Sequence, residues 1–296
     1  MSLQAVFQER IPKTVYQCRI ESDNETALVT ARAVLLSLGF QQEELIAASV
    51  KGRAAIELFD EAGERLERIE GLFKRLKLAG IKVRRQKLLP KDWLTLWKQH
   101  WRPARLTHEI DVVPVWYRDK YKPRRGRDVI LMDTLLSFGT GLHETTQLLA
   151  QFIEDSQGSF KSFFDIGTGT GILALVALKN GAQEAVGIDI GALSVAAARD
   201  NMKANNLFFQ VRQADIGKYR PKKVYDFVAA NLVTEDLIKH GPKIVGFVKK
   251  GGLLGVSGIS LDNLARLRKA FASLPLKCLK VSKGKQWAAL LYQAKM

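Results

Sequence analysis

Apolar and polar positions alternate along 14–20 (TVYQCRI), the period of a half-buried strand, whereas in 25–38 (ETALVTARAVLLSL) apolar residues recur at helical spacing. Gly39 follows as a helix stop. ELIAASV and AAIELF read as strands, with Lys51-Gly52 between them as a hairpin signal. EAGERLERIEGLFKRLKLAG is a long amphipathic helix ending at Gly80, and IKVRRQKL is a last strand. The order βαββαβ predicts a small ferredoxin-like α+β domain over 1–88. Its residues show no chemistry of their own, so gripping a partner is its expected task.

After Pro90, KDWLTLWKQHWRPARL predicts a linker helix over 89–104, with Asp92 placed to cap it. Trp93, Trp97 and Trp101 fall on one face at i, i+4, i+8. Core packing is the expectation for these rings; a platform for stacking bases is the alternative and needs them exposed. From 105 to 296 the pattern changes. EIDVVPVW and RDVILMD look like strands, and a helix begins near His143. SFFDIG, AVGIDI, QVRQAD, YDFVAAN and GGLLGVSG are then short apolar runs separated by helix-length stretches. That alternation predicts an open, mostly parallel, Rossmann-like α/β sheet with helices on both faces. Ligands of such sheets bind outside the carboxyl ends of the strands, where the strand order reverses.

A chain of 296 residues, 47% of them hydrophobic, has enough core for two such domains. Its start, MSLQAVFQERIPKTV, has no apolar h-region, and its apolar run GILALVAL is far shorter than the roughly 20 residues that cross a bilayer. No membrane association is expected. Cys18 and Cys278 are too few and too distant in sequence for a disulfide framework or a metal site, which suits a reducing cytoplasm. The net charge of +16 sharpens at RDKYKPRRGR, 118–127, with six cations in ten residues. Two readings fit this run: a solvated loop, or a strip that docks a ribosomal or RNA-bound partner.

SFFDIGTGTGILALVAL carries the strongest chemical signal. A strand ends at Asp165, Gly167, Thr168, Gly169, Thr170 and Gly171 make the turn, and a helix follows. Glycines there let the backbone approach a ligand. Asp189 lies 22 residues beyond Gly167, at the end of the next strand, where a carboxylate reaches both hydroxyls of a ribose. A dinucleotide fingerprint, G-x-G-x-x-G, needs glycine at 172, and Ile172 stands there. The spacing G-x-G-x-G suits S-adenosyl-L-methionine, which has no phosphate. Asp215, ending the third strand in QAD, is placed for an adenine amino group. Asn231 ends the fourth strand beside the expected sulfonium. It is followed by Leu232-Val233-Thr234 rather than the Pro-Pro-aromatic run of enzymes that methylate planar amides or adenine. Its carbonyl is free to accept from an amine.

SFGTGLHETT, 137–146, resembles the F-G-T-G-T-H-x-T-T signature of the PrmA family, which methylates ribosomal protein L-eleven. It stands just ahead of DIGTGTG, where that family usually has D-[VI]-G-C-G-S-G. DWLTLWKQHWRP, the VPVW before the basic loop, ANL after the fourth strand and VSGI at 256–259 agree as well, so the resemblance covers nearly the full chain. Leu142 replaces the second threonine of the signature, Thr168 and Thr170 replace Cys and Ser, and LVTEDL follows Asn231.

The resemblance implies a class I methyltransferase domain using S-adenosyl-L-methionine. The expected acceptors are lysine ε-amino and N-terminal α-amino groups of a ribosomal protein, presented by the N-terminal domain. The two glycine turns would face each other around the donor. Asp165, Gly167, Thr168, Gly169 and Gly171 would lie beneath its amino-acid and ribose portions; Phe138, Gly139, Thr140 and Gly141 would close over it, Phe138 covering the sulfonium side. Thr145 and Thr146 would bond its methionine part or cap the helix. His143 packs structurally or touches the substrate, and Asn231 orients the amine. No metal is called for, and a monomer suffices. The rival readings are a ribosomal RNA methyltransferase, prompted by the 118–127 strip, and an inactive relative that only binds a ribosomal protein.

Overall fold

The computed structural model describes residues 15–38, 40, 45–50, 53–60, 63–76, 80–88, 101–133 and 141–295. The chain divides into two compact units, Met1–Trp101 and Arg102–Met296. In the first, β1 (Val15–Ser22), α1 (Glu25–Ser37), β2 (Ile46–Val50), β3 (Arg53–Asp60), α2 (Glu64–Leu76) and β4 (Ile81–Leu88) follow in that order. The strands form one antiparallel sheet, β2-β3-β1-β4. Asn24 opens α1 by accepting from the Ala27 amide at 3.3 Å. Alternate positions of β1 and β3, Cys18, Ile20, Ile56 and Leu58, pack with Leu35 of α1 and with Leu66, Ile69 and Phe73 of α2. Burial pushes the Cys18 thiol up to about 12, so it behaves as a small core hydrophobe. Trp101 is buried, which removes it as an exposed stacking ring. Lys51-Gly52, Trp93, Trp97 and most of the expected linker helix lie outside the described residues.

The second unit opens with β5 (Ala104–Arg105), β6 (Ile110–Pro114) and β7 (Asp128–Met132), a small sheet in the order β5-β6-β7. The strand expected to run on to Trp116 stops at Pro114, and a 3-10 turn takes Val115–Tyr117. Then come α3 (Glu144–Asp155), β8 (Ser162–Ile166), α4 (Ile172–Lys179), β9 (Glu184–Asp189), α5 (Ala192–Asn205), β10 (Gln210–Gln213), β11 (Tyr225–Asn231), α6 (Thr234–Val245), β12 (Val248–Ser260), α7 (Leu264–Phe271), β13 (Leu276–Lys283) and β14 (Trp287–Ala294). Their strands form one sheet, β10-β9-β8-β11-β12-β14-β13. The first five are parallel, and β14 lies antiparallel between β12 and β13.

The central strands are apolar throughout because helices cover both faces: every residue of β8 is buried. Phe164, Val228, Leu254 and Leu290 join Leu237 of α6 and Leu267 of α7 in a single core. The chain winds from β8 out through β9 to β10, then returns to β11 on the other side of β8. The order therefore reverses between β8 and β11, and Asp165 and Asn231 sit at the carboxyl ends of that pair. Among the described residues no helix is long and apolar enough to cross a membrane.

Candidate functional site

Three strand ends define the site. At the end of β8 the chain turns through Gly167, Gly169 and Gly171, with φ of +70°, +53° and +82°, and enters α4. A Cβ on Gly171 would lie 2.7 Å from the Phe209 ring, so glycine answers both the torsion and the packing. The Gly167 and Thr168 amides donate to the Ile188 carbonyl, pinning the turn to β9. Asp189, ending β9, accepts from the Gly169 amide at 2.9 Å and the Gly191 amide at 2.8 Å, one on each carboxylate oxygen. Each oxygen keeps a lone pair for a further donor.

Asp165 is fully buried. The Thr168 hydroxyl donates to its Oδ2 at 2.7 Å, while Oδ1 has no hydrogen-bond partner among the described residues. Burial pushes this carboxyl up to about 7; the Thr168 hydroxyl opposes the shift, nearby Asp189 adds to it, and the Ala174 amide pulls weakly the other way. Thr168 itself is buried, its side chain turned inward over Gly187. Its hydroxyl serves Asp165, leaving only its backbone to face a ligand.

Asn231, half-buried at the end of β11, donates from Nδ2 to the Thr146 hydroxyl at 3.4 Å. Among the described residues its Oδ1 has no hydrogen-bond partner. The segment after it is set by β12. The Leu232 amide donates to the Ser257 carbonyl at 3.1 Å, and a Cβ on Gly258 would stand 2.1 Å from the Leu232 carbonyl oxygen. Leu232 then covers Gly167, whose Cβ would fall 2.6 Å from the leucine Cδ2. The glycine turn and the Asn231 segment thus meet across the reversal point.

Gly141, at φ +78°, lies against Ile172, the first residue of α4: an added Cβ would be 2.7 Å from its Cδ1. Phe138, Gly139 and Thr140 lie outside the described residues. His143, not a threonine, caps α3: its Nδ1 accepts from the Thr145 amide at 3.3 Å and faces the Thr145 hydroxyl at 2.7 Å. An amide can only donate, so Nδ1 carries the lone pair and a neutral ring holds its proton on Nε2. Thr145 and Thr146 are both buried; the first faces His143 and the second Asn231. Asp215 lies past the end of β10, not within it, and accepts from the Gly217 amide at 2.7 Å in the following turn.

Several contributors carried no motif. Asn201 of α5 is fully buried, donates to the Thr170 carbonyl at 3.0 Å and accepts from the Asp133 amide at 2.8 Å. It ties the segment that enters the 134–140 stretch to the glycine turn. Trp287 stands edge-on to His143, ring centres 5.2 Å apart. Ile190 and Val233, next to Asp189 and two residues beyond Asn231, are 72% and 60% exposed. The sequence showed only an apolar residue directly after Asp189; that its side chain is bare is visible in the fold alone.

The basic run is altered by folding. Arg127 turns inward to Asp111, Nε to Oδ1 at 2.8 Å, and the Tyr121 hydroxyl donates to Asp111 at 2.8 Å. Burial alone would raise the Asp111 carboxyl; these two partners outweigh it and hold it below its ordinary value. Arg118 donates to the Ala204 carbonyl at 2.7 Å, at the end of α5. Lys120, Lys122, Arg124 and Arg125 remain exposed.

The profile of the ribosomal protein L11 methyltransferase (PrmA) family matches residues 17–295. A ribosomal protein L11 methyltransferase of Alkaliphilus oremlandii is 34% identical over 206 residues, 69% of this chain and 65% of the relative. One from Geobacter metallireducens is 34% identical over 70% of this chain and 68% of its own length. One from Pelobacter propionicus is 29% identical over 86% and 85%. The chain thus spans about two thirds of the length of the first two relatives and more of the third. Among solved structures, a ribosomal protein L11 methylase from Lactobacillus delbrueckii subsp. bulgaricus superposes with a TM-score of 0.61 at 27% identity, covering 66% of this chain and 100% of that one. The sheet order, the glycine turn at the end of β8 and these matches agree: the fold is that of class I methyltransferases, and the chain belongs to the ribosomal protein L11 methyltransferase (PrmA) family.

Proposed function

We propose that the chain transfers methyl groups from S-adenosyl-L-methionine to lysine ε-amino and N-terminal α-amino groups of an L11-like ribosomal protein. The observation that carries this reading is Asn231: at the strand-order reversal its Nδ2 is engaged by Thr146 while Oδ1 is left to accept. The residues present fit the donor. Asp189, already fixed by two amides, would take the ribose hydroxyls, and the backbone of 167–171 would pass beneath the amino-acid part. The unpartnered Oδ1 of buried Asp165 suits the donor's ammonium group. Asp215 would reach the adenine amino group, and Ile190 would cover the ring. Phe138, Gly139, Thr140 and Gly141 would close the other side.

When bound, the donor supplies a methyl carbon already activated by its sulfonium, so the chain's work is to hold a neutral amine in line with it. A free lysine has a pKa of about 10.4 and arrives charged. Apolar side chains near the end of β11, Val233 among them, would disfavour the ammonium form and let a proton leave to water. Asn231 Oδ1 then accepts one remaining N–H and aims the nitrogen lone pair at the methyl group. His143, the cap of α3, would line the same side.

The βαββαβ unit, which we read as ferredoxin-like, would grip the protein substrate, with the expected boundaries at 88 and 104. Lys120, Lys122, Arg124 and Arg125 are the part of the 118–127 strip left to contact ribosomal RNA beside that substrate. A cytoplasmic monomer satisfies all of this. The test is transfer of labelled methyl groups into purified ribosomal protein L11, with ribosomal RNA as a parallel acceptor. Label on lysine or the terminal amine of L11 supports the reading. Label in RNA alone would replace it with RNA methylation, and tight donor binding without label in either would favour an inactive binding relative.

A further inference from the structure

The sequence 283–287, KGKQW, and Glu144, in the middle of HETT, are absorbed by none of the roles above. Glu144 is the first residue of α3 and sends its carboxylate across to the turn between β13 and β14. Three consecutive amides converge on it: Lys285 donates to Oε1 at 2.6 Å, and Gln286 and Trp287 donate to Oε2, each at 3.0 Å. Such a nest of amides around an ionised carboxylate is a strong, directional grip. Burial raises the Glu144 carboxyl, but the three amides outweigh it and hold it below its ordinary value. The fit is close enough to dictate a residue 140 positions downstream. A Cβ on Gly284 would lie 2.1 Å from the Glu144 Cδ and 2.2 Å from its Oε1, so only glycine admits the carboxylate.

Neither partner needs this grip in order to form. His143 already caps α3, and its carbonyl receives the Thr146 and Gln147 amides. β13 and β14 pair along their own register from Leu276 opposite Ala294 to Lys283 opposite Ala288, and the Gly284 amide closes the turn on the Trp287 carbonyl at 2.8 Å. What the carboxylate fixes is the position of one element against the other. It does so at the end of α3 that carries His143, Thr145 and Thr146, and it draws in the amide of the residue whose ring meets His143.

We propose that Glu144 is a positioning residue for the acceptor side of the site: by clamping the β13–β14 turn to the start of α3 it sets the Trp287 and His143 rings against each other and holds Thr146 in reach of Asn231. The proposal rests on the methyl-transfer reading and assigns Glu144 no contact with donor or acceptor. Its effect therefore falls on presentation of the amine and spares the donor subsite at Asp165 and Asp189.

The experiment compares wild type with Glu144→Gln, which keeps the shape but removes the charge and one acceptor oxygen, and with Gly284→Ala, which breaks the clamp from the other side. Three quantities are read: donor affinity by calorimetry, kcat and KM with ribosomal protein L11, and hydrogen–deuterium exchange of the 283–288 amides. Both variants are expected to lose exchange protection at 285–287 and to lose about tenfold or more in kcat/KM for the acceptor, since misplacement by about 1 Å costs up to 10²-fold. Donor affinity stays within about twofold. Lost protection with unchanged acceptor kinetics would overturn the proposal and make the clamp purely structural. Equal losses of donor and acceptor binding would overturn it too. If Gly284→Ala does not fold, Glu144→Gln carries the comparison alone. An inactive wild type would instead sink the methyl-transfer reading, and the proposal with it, whatever the exchange data show.

Discussion

Replacing Asp165 by Asn should make the donor-free protein more stable at pH 8 while weakening its grip on the donor. The carboxyl is fully buried and pushed from 3.8 up to about 7. A raised acid means that the folded chain binds a proton more tightly than the unfolded one. Its stability is therefore highest below about pH 4, declines as pH climbs through 7, and is flat beyond. Roughly three pKa units at about 1.4 kcal/mol each put the cost of the buried charge on the order of 4 kcal/mol above pH 7. An amide removes that cost and still accepts from the Thr168 hydroxyl. Its NH2, however, replaces the unpartnered Oδ1, and an unsatisfied buried donor costs about 1–3 kcal/mol. The expected net gain is about 1–3 kcal/mol at pH 8, shrinking to nothing or reversing by pH 5. Urea unfolding of both proteins at the two pH values measures it, and calorimetric titration follows the donor. A wild-type-to-variant difference that does not change between pH 5 and pH 8 would refute the reasoning, because it would mean that Asp165 is not carrying a buried charge.

Asn231→Ala should lower kcat with the protein acceptor by roughly 10²-fold, through lost alignment, with donor affinity little changed; steady-state kinetics beside calorimetry separates the two. Asp226 bridges β8 and β11 at their starts, accepting from the Ser162 amide and hydroxyl and from Lys249; burial pulls it up, these partners win, and it falls to about 2. That depressed value contributes stability above about pH 4 which is lost as pH falls toward 2, so Asp226→Asn should cost roughly 1–2 kcal/mol at pH 7 and flatten the acid limb of the unfolding profile. Gly258→Ala puts a Cβ at φ +88° onto the Leu232 carbonyl and should cost about 2 kcal/mol or more in Tm-derived stability, with donor binding falling alongside. Changing Lys120, Lys122, Arg124 and Arg125 to serine should flatten the salt dependence of any RNA binding, by up to about 0.9 in log–log slope per lost phosphate contact, while Arg127→Ala should chiefly lower stability.

The central strands of the large sheet could be read from the sequence because they are buried on both faces and so appear as apolar runs, whereas β13, exposed along most of its length, carried no such pattern. The glycine turn was legible for a related reason: Gly167, Gly169 and Gly171 all adopt left-handed torsions that few other residues tolerate. Reading failed where a polar side chain acts at a distance. Asn201 sits in ALSVAAARDNMKAN, which looks like a solvent-facing helix, yet it is fully buried between two backbone segments. Arg127 belongs by sequence to a basic strip, yet Asp111 draws it inward. Asp215 looked like a strand end, but β10 stops at Gln213 and the Asp215 carboxylate turns to the Gly217 amide. Thr145 and Thr146 offered hydroxyls either to the donor or to the helix start; the capping place is taken by the ring nitrogen of His143, two residues before Thr145. No local pattern announces a pair such as Glu144 and Gly284, since what selects each residue is the other.

The placement of β14 orders events in time. Residues 287–294 do not add an outer strand; they fill the gap between β12 and β13. While a chain is being synthesised, β13 therefore leaves the ribosome with no neighbour to pair with, and the flank of β12 stays open until Ala294 is free to move. The same last segment brings Trp287 to His143 and closes the turn that Glu144 holds. A nascent chain lacking these residues would carry every glycine of the 167–171 turn and yet leave the His143 ring without Trp287 and the Glu144 carboxylate without its amides.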